Sequence, residues 1–160
     1  MPKIKLNLST KSISDAIKQL EEYQQKVEQA GEKITTTLTE RGVSLAQLNA
    51  SYMSIYDTGE LVNGIDSAYF GTSGYIISSA PHSAFCEFGT GIRGLESQHP
   101  NPGLAGWRYD VNDHGEAGWF YTGDDGKSHW TAGMPSRPYM YDTAQMLRNM
   151  VTEVAKETLK

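Results

Sequence analysis

Between Ser12 and about Arg41, apolar side chains recur at Ile13, Leu20, Val27 and Ile34, one every seven residues. Ala16, Tyr23, Ala30 and Thr37 fall between them, and Gln, Glu and Lys occupy most other positions. That period is helical and predicts one long helix over residues 12–41. Ser12, with Asp15 three residues on, reads as its N-cap, Gly42 reads as its stop, and Gly31 weakens its centre. The seam is narrow, so most of the girth faces water; the helix either lies across the domain's own sheet or pairs with a helix of a neighbouring subunit. Residues 43–56 read as a shorter helical segment or a loop.

Beyond residue 56 the pattern changes. DTGELVNGI at 57–65 reads as a turn followed by buried Leu61 and Ile65. Ser67–Phe70 and Tyr75–Ser79, separated by Gly71-Thr72-Ser73-Gly74, predict a β-hairpin. SAPHSAFCEFG at 79–89 predicts a short helix, with Pro81 in its first turn, Ala84, Phe85 and Phe88 on one side and Gly89 as its stop; a strand is the alternative. Residues 92–105 read as an irregular loop, long enough to mark a functional or assembly-dependent element. Gly106–Val111 predicts a strand, and Gly118–Thr122 and Lys127–Thr131 flank an Asp124-Asp125-Gly126 turn. Pro138 opens a helix to about Thr158, with Met140, Ala144, Leu147, Val151 and Val154 down one face. The expected class is α+β: a single domain over 1–160 whose mixed or antiparallel sheet, within 57–131, is packed by the long N-terminal helix and the C-terminal helix of 138–158.

Composition narrows the task. Hydrophobic residues are 38% of the 160 and aromatics 10%, which predicts a modest core with rings left over for interfaces. A formal charge of -5, without a basic run, argues against sequence-specific nucleic-acid binding. One cysteine, Cys86, allows no internal disulfide, so no oxidising compartment is required. MPKIKLNLST lacks a signal peptide's apolar run and no stretch reaches the ~18 apolar residues of a membrane span, so synthesis in a cytoplasm is expected.

EFGTGIRG at 87–94 contains the G-x-G-x-x-G spelling of a dinucleotide loop. The residues after it carry two prolines and no apolar period, so no helix N-terminus is expected to hold a pyrophosphate, and the glycines read instead as a device for a sharp turn beside a packed segment. His82 and Cys86 stand four apart and could form a thiol–imidazole pair, which makes a cysteine-dependent hydrolase one alternative. His99, His114 and His129 fall in separate segments without metal-ligand spacing, so no metal and no cofactor are expected. Asp110, Asp113, Glu116, Asp124 and Asp125 read as solvated turn residues rather than paired catalytic acids or a calcium loop. Trp107, Trp119 and Trp130 could build a carbohydrate-stacking platform, the other alternative, but strand aromatics more often pack on a helix or a partner. If the fold joins their segments, Arg137 and Glu87 could form a bidentate ion pair.

Three segments in order, DTGELVNGI at 57–65, APHSAFCEFGTG at 80–91 and GMPSRPYMYDTA at 133–144, resemble the tail-component family of long-tailed bacteriophages, its neck, head-tail joining and tail-completion proteins. Asp57, Thr58, Gly59 and Leu61 match the family's first motif. Ala80, Pro81, Glu87, Phe88, Gly89 and Thr90 match the second, and Arg137, Pro138 and Tyr139 the third. His82 stands where the family usually has Tyr, Ser83 where it has Ala, Cys86 where it has Val and Gly64 where it has Ser, so His82 and Cys86 read as packing residues. The resemblance implies a non-enzymatic virion or prophage protein at the head-tail junction. Its implied partners are copies of itself in a ring and head-closure, connector or tail-tube proteins, with no catalytic, cofactor-binding or metal-binding residues.

Overall fold

The structure, a computed structural model, describes residues 9–53, 59–101, 106–110, 113–115 and 117–159. Asp57 and Thr58 of the first motif, and Glu116, lie outside the described residues. The protein is α+β. Helix α1 spans Thr10–Tyr52, α2 Glu60–Asn63, α3 Ser83–Phe88, α4 Gly91–Glu96 and α5 Tyr139–Thr158; strands β1 (Ile65–Phe70) and β2 (Ser73–Ser78) precede α3, and β3 (Trp119–Thr122) and β4 (Ser128–Thr131) precede α5.

Helix α1 is longer than its seam predicts at both ends. Ser9, not Ser12, is the N-cap: its Oγ accepts a hydrogen bond from the Ser12 N–H at 3.3 Å. Gly42 does not stop the helix. It is buried where α1 meets Ile76 of β2 and Leu147 of α5, and the next turns bury Ala46, Asn49 and Ala50. Tertiary burial of residues 43–52 therefore outweighs the weak helix propensity of one glycine, and 43–52 continue α1 instead of forming a second element.

Strands β1 and β2 pair antiparallel from Ile65↔Ser78 to Phe70↔Ser73. Each begins two residues earlier than alternation alone predicts, leaving only Gly71 and Thr72 in the turn, with Gly71 at φ 58°. The core is assembled from Ala46, Ala50, Leu61, Ile65, Ala80, Cys86 and Tyr139, edged by Val43, Met53, Val62, Ile76, Met134 and Met140. Helix α5 lies antiparallel to α1: Asn49 Nδ2 donates to Thr143 Oγ1 at 3.0 Å, and Arg41 meets Glu157 at 3.5 Å. Both long helices pack on the β1–β2 hairpin, and α5 begins and ends as its sequence pattern predicts.

The second sheet, β3–β4, pairs antiparallel from Trp119↔Thr131 to Thr122↔Ser128. Residues 106–110 do not form the expected strand. Trp107 and Tyr109 turn inward under α3 and α4 instead, where Trp107 Nε1 donates to the Gly89 carbonyl at 3.0 Å and the Tyr109 carbonyl accepts from the Gly91 N–H at 2.7 Å. Nor are residues 92–96 an irregular loop, because they complete α4.

Candidate functional site

The second and third sequence motifs meet at the carboxylate of Glu87. Helix α5 opens at Pro138, which has no N–H and no side chain able to cap, so the first N–H groups of the helix need an acceptor from elsewhere. Glu87 supplies it. One carboxylate oxygen accepts from the Met140 N–H at 2.9 Å and the other from the Tyr141 N–H at 3.0 Å. Placed on the positive end of the α5 dipole, a buried negative charge is stabilised there.

A third donor completes the shell. His99 Nε2 lies 3.0 Å from the same Glu87 oxygen that accepts from Tyr141, and His99 Nδ1 accepts from the Asn101 N–H at 3.1 Å. An Nδ1 that accepts carries no proton, so this network assigns an Nε2 proton that is donated to the Glu87 carboxylate. The ring is wedged edge-on between Phe88, with centroids 5.1 Å apart, and Tyr141 at 5.2 Å.

The backbones are sewn together around this centre. The Ser136 hydroxyl donates to the Glu87 carbonyl at 2.7 Å, and the Arg137 N–H donates to the Cys86 carbonyl at 2.9 Å. Thr90 and Met134 form an antiparallel bridge with both N–H···O bonds made, at 2.9 and 3.1 Å. Gly89, at φ 80°, leaves room for this seam: a Cβ there would sit 2.7 Å from the Ser136 nitrogen. The Arg137–Glu87 ion pair that joined segments could have formed is absent among the described residues. The two segments do meet, through main-chain bonds and a helix cap, and the carboxylate accepts from His99 and two N–H groups.

The glycines of this motif make close backbone approaches beside a packed segment, as expected, but the helix N-terminus that was not expected is present. A short helix, α4, does follow Thr90, but its leading N–H groups are already bonded: Gly91 to the Tyr109 carbonyl and Arg93 to the Ala132 carbonyl at 3.2 Å. Carbonyls occupy the position a pyrophosphate would take. Gly94 lies against the Tyr109 ring, where a Cβ would approach Cδ1 to 2.7 Å. The glycines thus act as close-approach positions.

Cys86 and His82 do not converge. Cys86 is 3% exposed, and burial pushes its thiol above the ordinary value of 9.0, with Arg137 opposing and Glu87 reinforcing the rise. A nucleophilic cysteine needs the reverse shift. The His82 ring is turned toward Glu60, its Nδ1 3.8 Å from the carboxylate. The tryptophans share no platform either. Trp107 packs between Phe85 and Phe88, with centroids 5.9 and 4.9 Å away, whereas Trp130 pairs across the hairpin with Phe120 at 5.0 Å, on the face opposite Trp119.

The acidic residues stay in turns. Asp110 accepts from the Gly115 N–H at 2.8 Å, Asp113 lies 3.6 Å from Arg108, and Asp125 meets His129 Nε2 at 2.9 Å. The His129 and Lys127 hydrogen bonds hold the Asp125 carboxyl below its ordinary range. No cluster of three metal-ligating side chains forms among the described residues.

Of the first motif, Gly59 takes φ 78° to start α2 and Leu61 is buried at the core. Tyr139 is buried beneath Glu87's helix cap, and burial raises its phenol above 10.0, opposed by the neighbouring Ser78 hydroxyl. Ser78 Oγ is itself buried without a partner in good hydrogen-bond geometry, so the two hydroxyls are adjacent but poorly aligned. His99 was the residue that sequence reasoning missed. Its only signal is indirect: a helix that opens on Pro138 without a Ser, Thr or Asp cap requires a remote acid, and a buried acid requires further donors. No known protein family, no curated protein and no solved structure matches the chain.

Proposed function

We propose that this chain is a non-enzymatic subunit of a tailed-phage connector, a neck or tail-completion protein that joins the capsid portal complex to the tail as a ring of copies. The observation that carries this reading is the interlock at Glu87. The residues that resemble the family's second and third motifs, Glu87, Gly89, Thr90, Pro138 and Tyr139, are occupied by helix capping, main-chain bridging and core packing. They build a scaffold. Large apolar side chains remain on the surface instead, among them Tyr52, Phe70 and Phe120, as expected of a subunit completed by neighbours. Heterologous contacts between such patches close into rings, and an acidic subunit around a DNA passage repels phosphates rather than holding them. Virion residence at the head-tail junction, after synthesis in the host cytoplasm, belongs to the same proposal, as do contacts with head-closure, connector or tail-tube proteins. Among the described residues no helix is long and apolar enough to cross a membrane.

The test is genetic and structural together. Interrupting the gene in an inducible phage should leave filled heads and free tails unjoined, and mass spectrometry of intact virions should find the chain in stoichiometric amounts. Unchanged infectious titre with the chain missing from purified particles would reject the proposal.

A further inference from the structure

The two edges of the β1–β2 hairpin are not alike. The Ser79 N–H donates to the Gly64 carbonyl at 2.9 Å. With the register Ile65↔Ser78, that bond turns the main-chain groups of Ile65, Ser67 and Tyr69 outward from β1, and those of Gly74, Ile76 and Ser78 outward from β2. Side chains cap the outer edge of β1: Gln47 Nε2 donates to the Ile65 carbonyl at 3.3 Å, and Asp66 Oδ1 accepts from the Ser67 N–H at 2.7 Å. On the outer edge of β2, no hydrogen bond among the described residues reaches the main-chain groups of Gly74 or Ile76. An edge left open in this way is a template for another strand.

Beside that edge the surface is apolar. Gly74 and Ile76 border a groove of about 330 Å³ completed by Leu38 of α1 and by Ala144, Leu147 and Val151 of α5. Its occupant has to be extended, to pair with β2, and apolar at every second residue, to face the groove. In antiparallel pairing both demands fall on the same residues, because residues opposite each other share a face of the sheet.

Residues 3–8, Lys-Ile-Lys-Leu-Asn-Leu, alternate strictly and put Ile4, Leu6 and Leu8 on one side; they lie outside the described residues. The other strand-patterned segments, β1 to β4, already pair with each other. The point of attachment decides whose groove this segment fills. It precedes Ser9, the cap of α1, and from Thr10 to Thr35, which lines the groove, the helix rises about 37 Å. An extended chain from Ser9 back to Lys3 spans at most about 20 Å, so the segment's own groove is out of reach.

We propose that residues 3–8 of one copy add as an antiparallel strand to the open edge of β2 in another copy, with Ile4, Leu6 and Leu8 over the groove. The contact is head-to-tail, one surface giving and a different one receiving, which is the arrangement a ring needs. It rests on the assembly reading above and names the surfaces that assembly uses.

Two sets of variants separate the surfaces. Ile4→Asp with Leu6→Asp spoils the giving segment and leaves the groove; Val151→Asp, at a position 43% exposed, spoils the groove and leaves the segment. In sedimentation equilibrium over the micromolar range, the wild-type chain should give a mass of at least two 17.7 kDa chains. Each variant alone should raise the dissociation constant about a hundredfold or more, with near-UV circular dichroism of the core unchanged. An equimolar mixture of the two should recover a two-chain species and nothing larger, since one surface of each kind survives. Should Val151→Asp disturb the core signal, Ala144→Asp on the exposed rim takes its place. A synthetic peptide of residues 1–9 should compete with wild-type assembly, and the same peptide N-methylated at Leu6, deprived of an edge bond, should compete at least about tenfold less well. A single-chain mass for the wild type, a variant that assembles as the wild type does, a mixture that stays single, or equal competition by both peptides would each overturn the strand addition. A chain that is monomeric in solution yet present in virions refutes only this contact, and complementing variants of a chain with no virion role refute only the function.

Discussion

Glu87 is the residue on which the molecule's centre depends. Its carboxylate accepts three hydrogen bonds, two of them from the opening turn of α5. Glu87→Gln keeps the shape but turns one acceptor into a donor facing a donor. We expect a loss of about 2–3 kcal/mol, seen as a lower urea midpoint with unchanged slope. Cys86 and Tyr139 set a pH limit. Both have folded values above their ordinary 9.0 and 10.0, so the fold favours their neutral forms; that contribution is intact below pH 9 and is lost as pH rises through the folded values. The urea midpoint should hold level from neutral pH to 9 and then fall. Native Cys86 should react with a thiol reagent about a hundredfold more slowly than in urea, and equal rates would place it at the surface. The importance of Glu87, Gly89 and Tyr139 was legible from the motifs, but Glu87's partners were not. Arg137 is the obvious counter-charge in a linear sequence, whereas the actual donors are two anonymous main-chain N–H groups and a histidine from an unpatterned segment.

At the level of elements, the sequence pattern located both long helices and both hairpins and failed at their edges. It stopped α1 at Gly42 because local propensity cannot know that Ile76 and Leu147 will cover that turn. It missed α4 because six residues carry no detectable period, and it read residues 106–110 as a strand because aromatic density looks the same beside a ladder and under a helix. Two helical glycines make the dependence on context measurable. Gly31 has nothing within 4 Å of a Cβ position, so Gly31→Ala should add about 0.5–1 kcal/mol to the helix, read as increased ellipticity. At Gly94 a Cβ would lie 2.9 Å from the Gly89 carbonyl carbon and press on Tyr109, so Gly94→Ala should lower the unfolding midpoint by about 1–3 kcal/mol. The same substitution in two helices should thus act with opposite sign.

Among the described residues, burial is concentrated where α1, α5 and the β1–β2 hairpin meet, and the β3–β4 hairpin stands at its margin with most of its residues exposed. Its two ends are adjacent: Gly118 packs against the Thr131 carbonyl and Ala132. Replacing residues 119–131 by a two-residue glycine link should therefore leave the core's near-UV signal intact and its melting temperature within a few degrees, as seen by circular dichroism. Loss of the cooperative transition would show that the second sheet is part of the nucleus. The remote cap on α5 bears on how the chain is made. As the polypeptide leaves the ribosome, Glu87 emerges some fifty residues before the turn it serves, and until that turn arrives its charge must stay in water. The final helix acquires a defined starting point only by docking, so assembly of this protein cannot proceed piece by piece from one end; its middle and its tail become native in the same event.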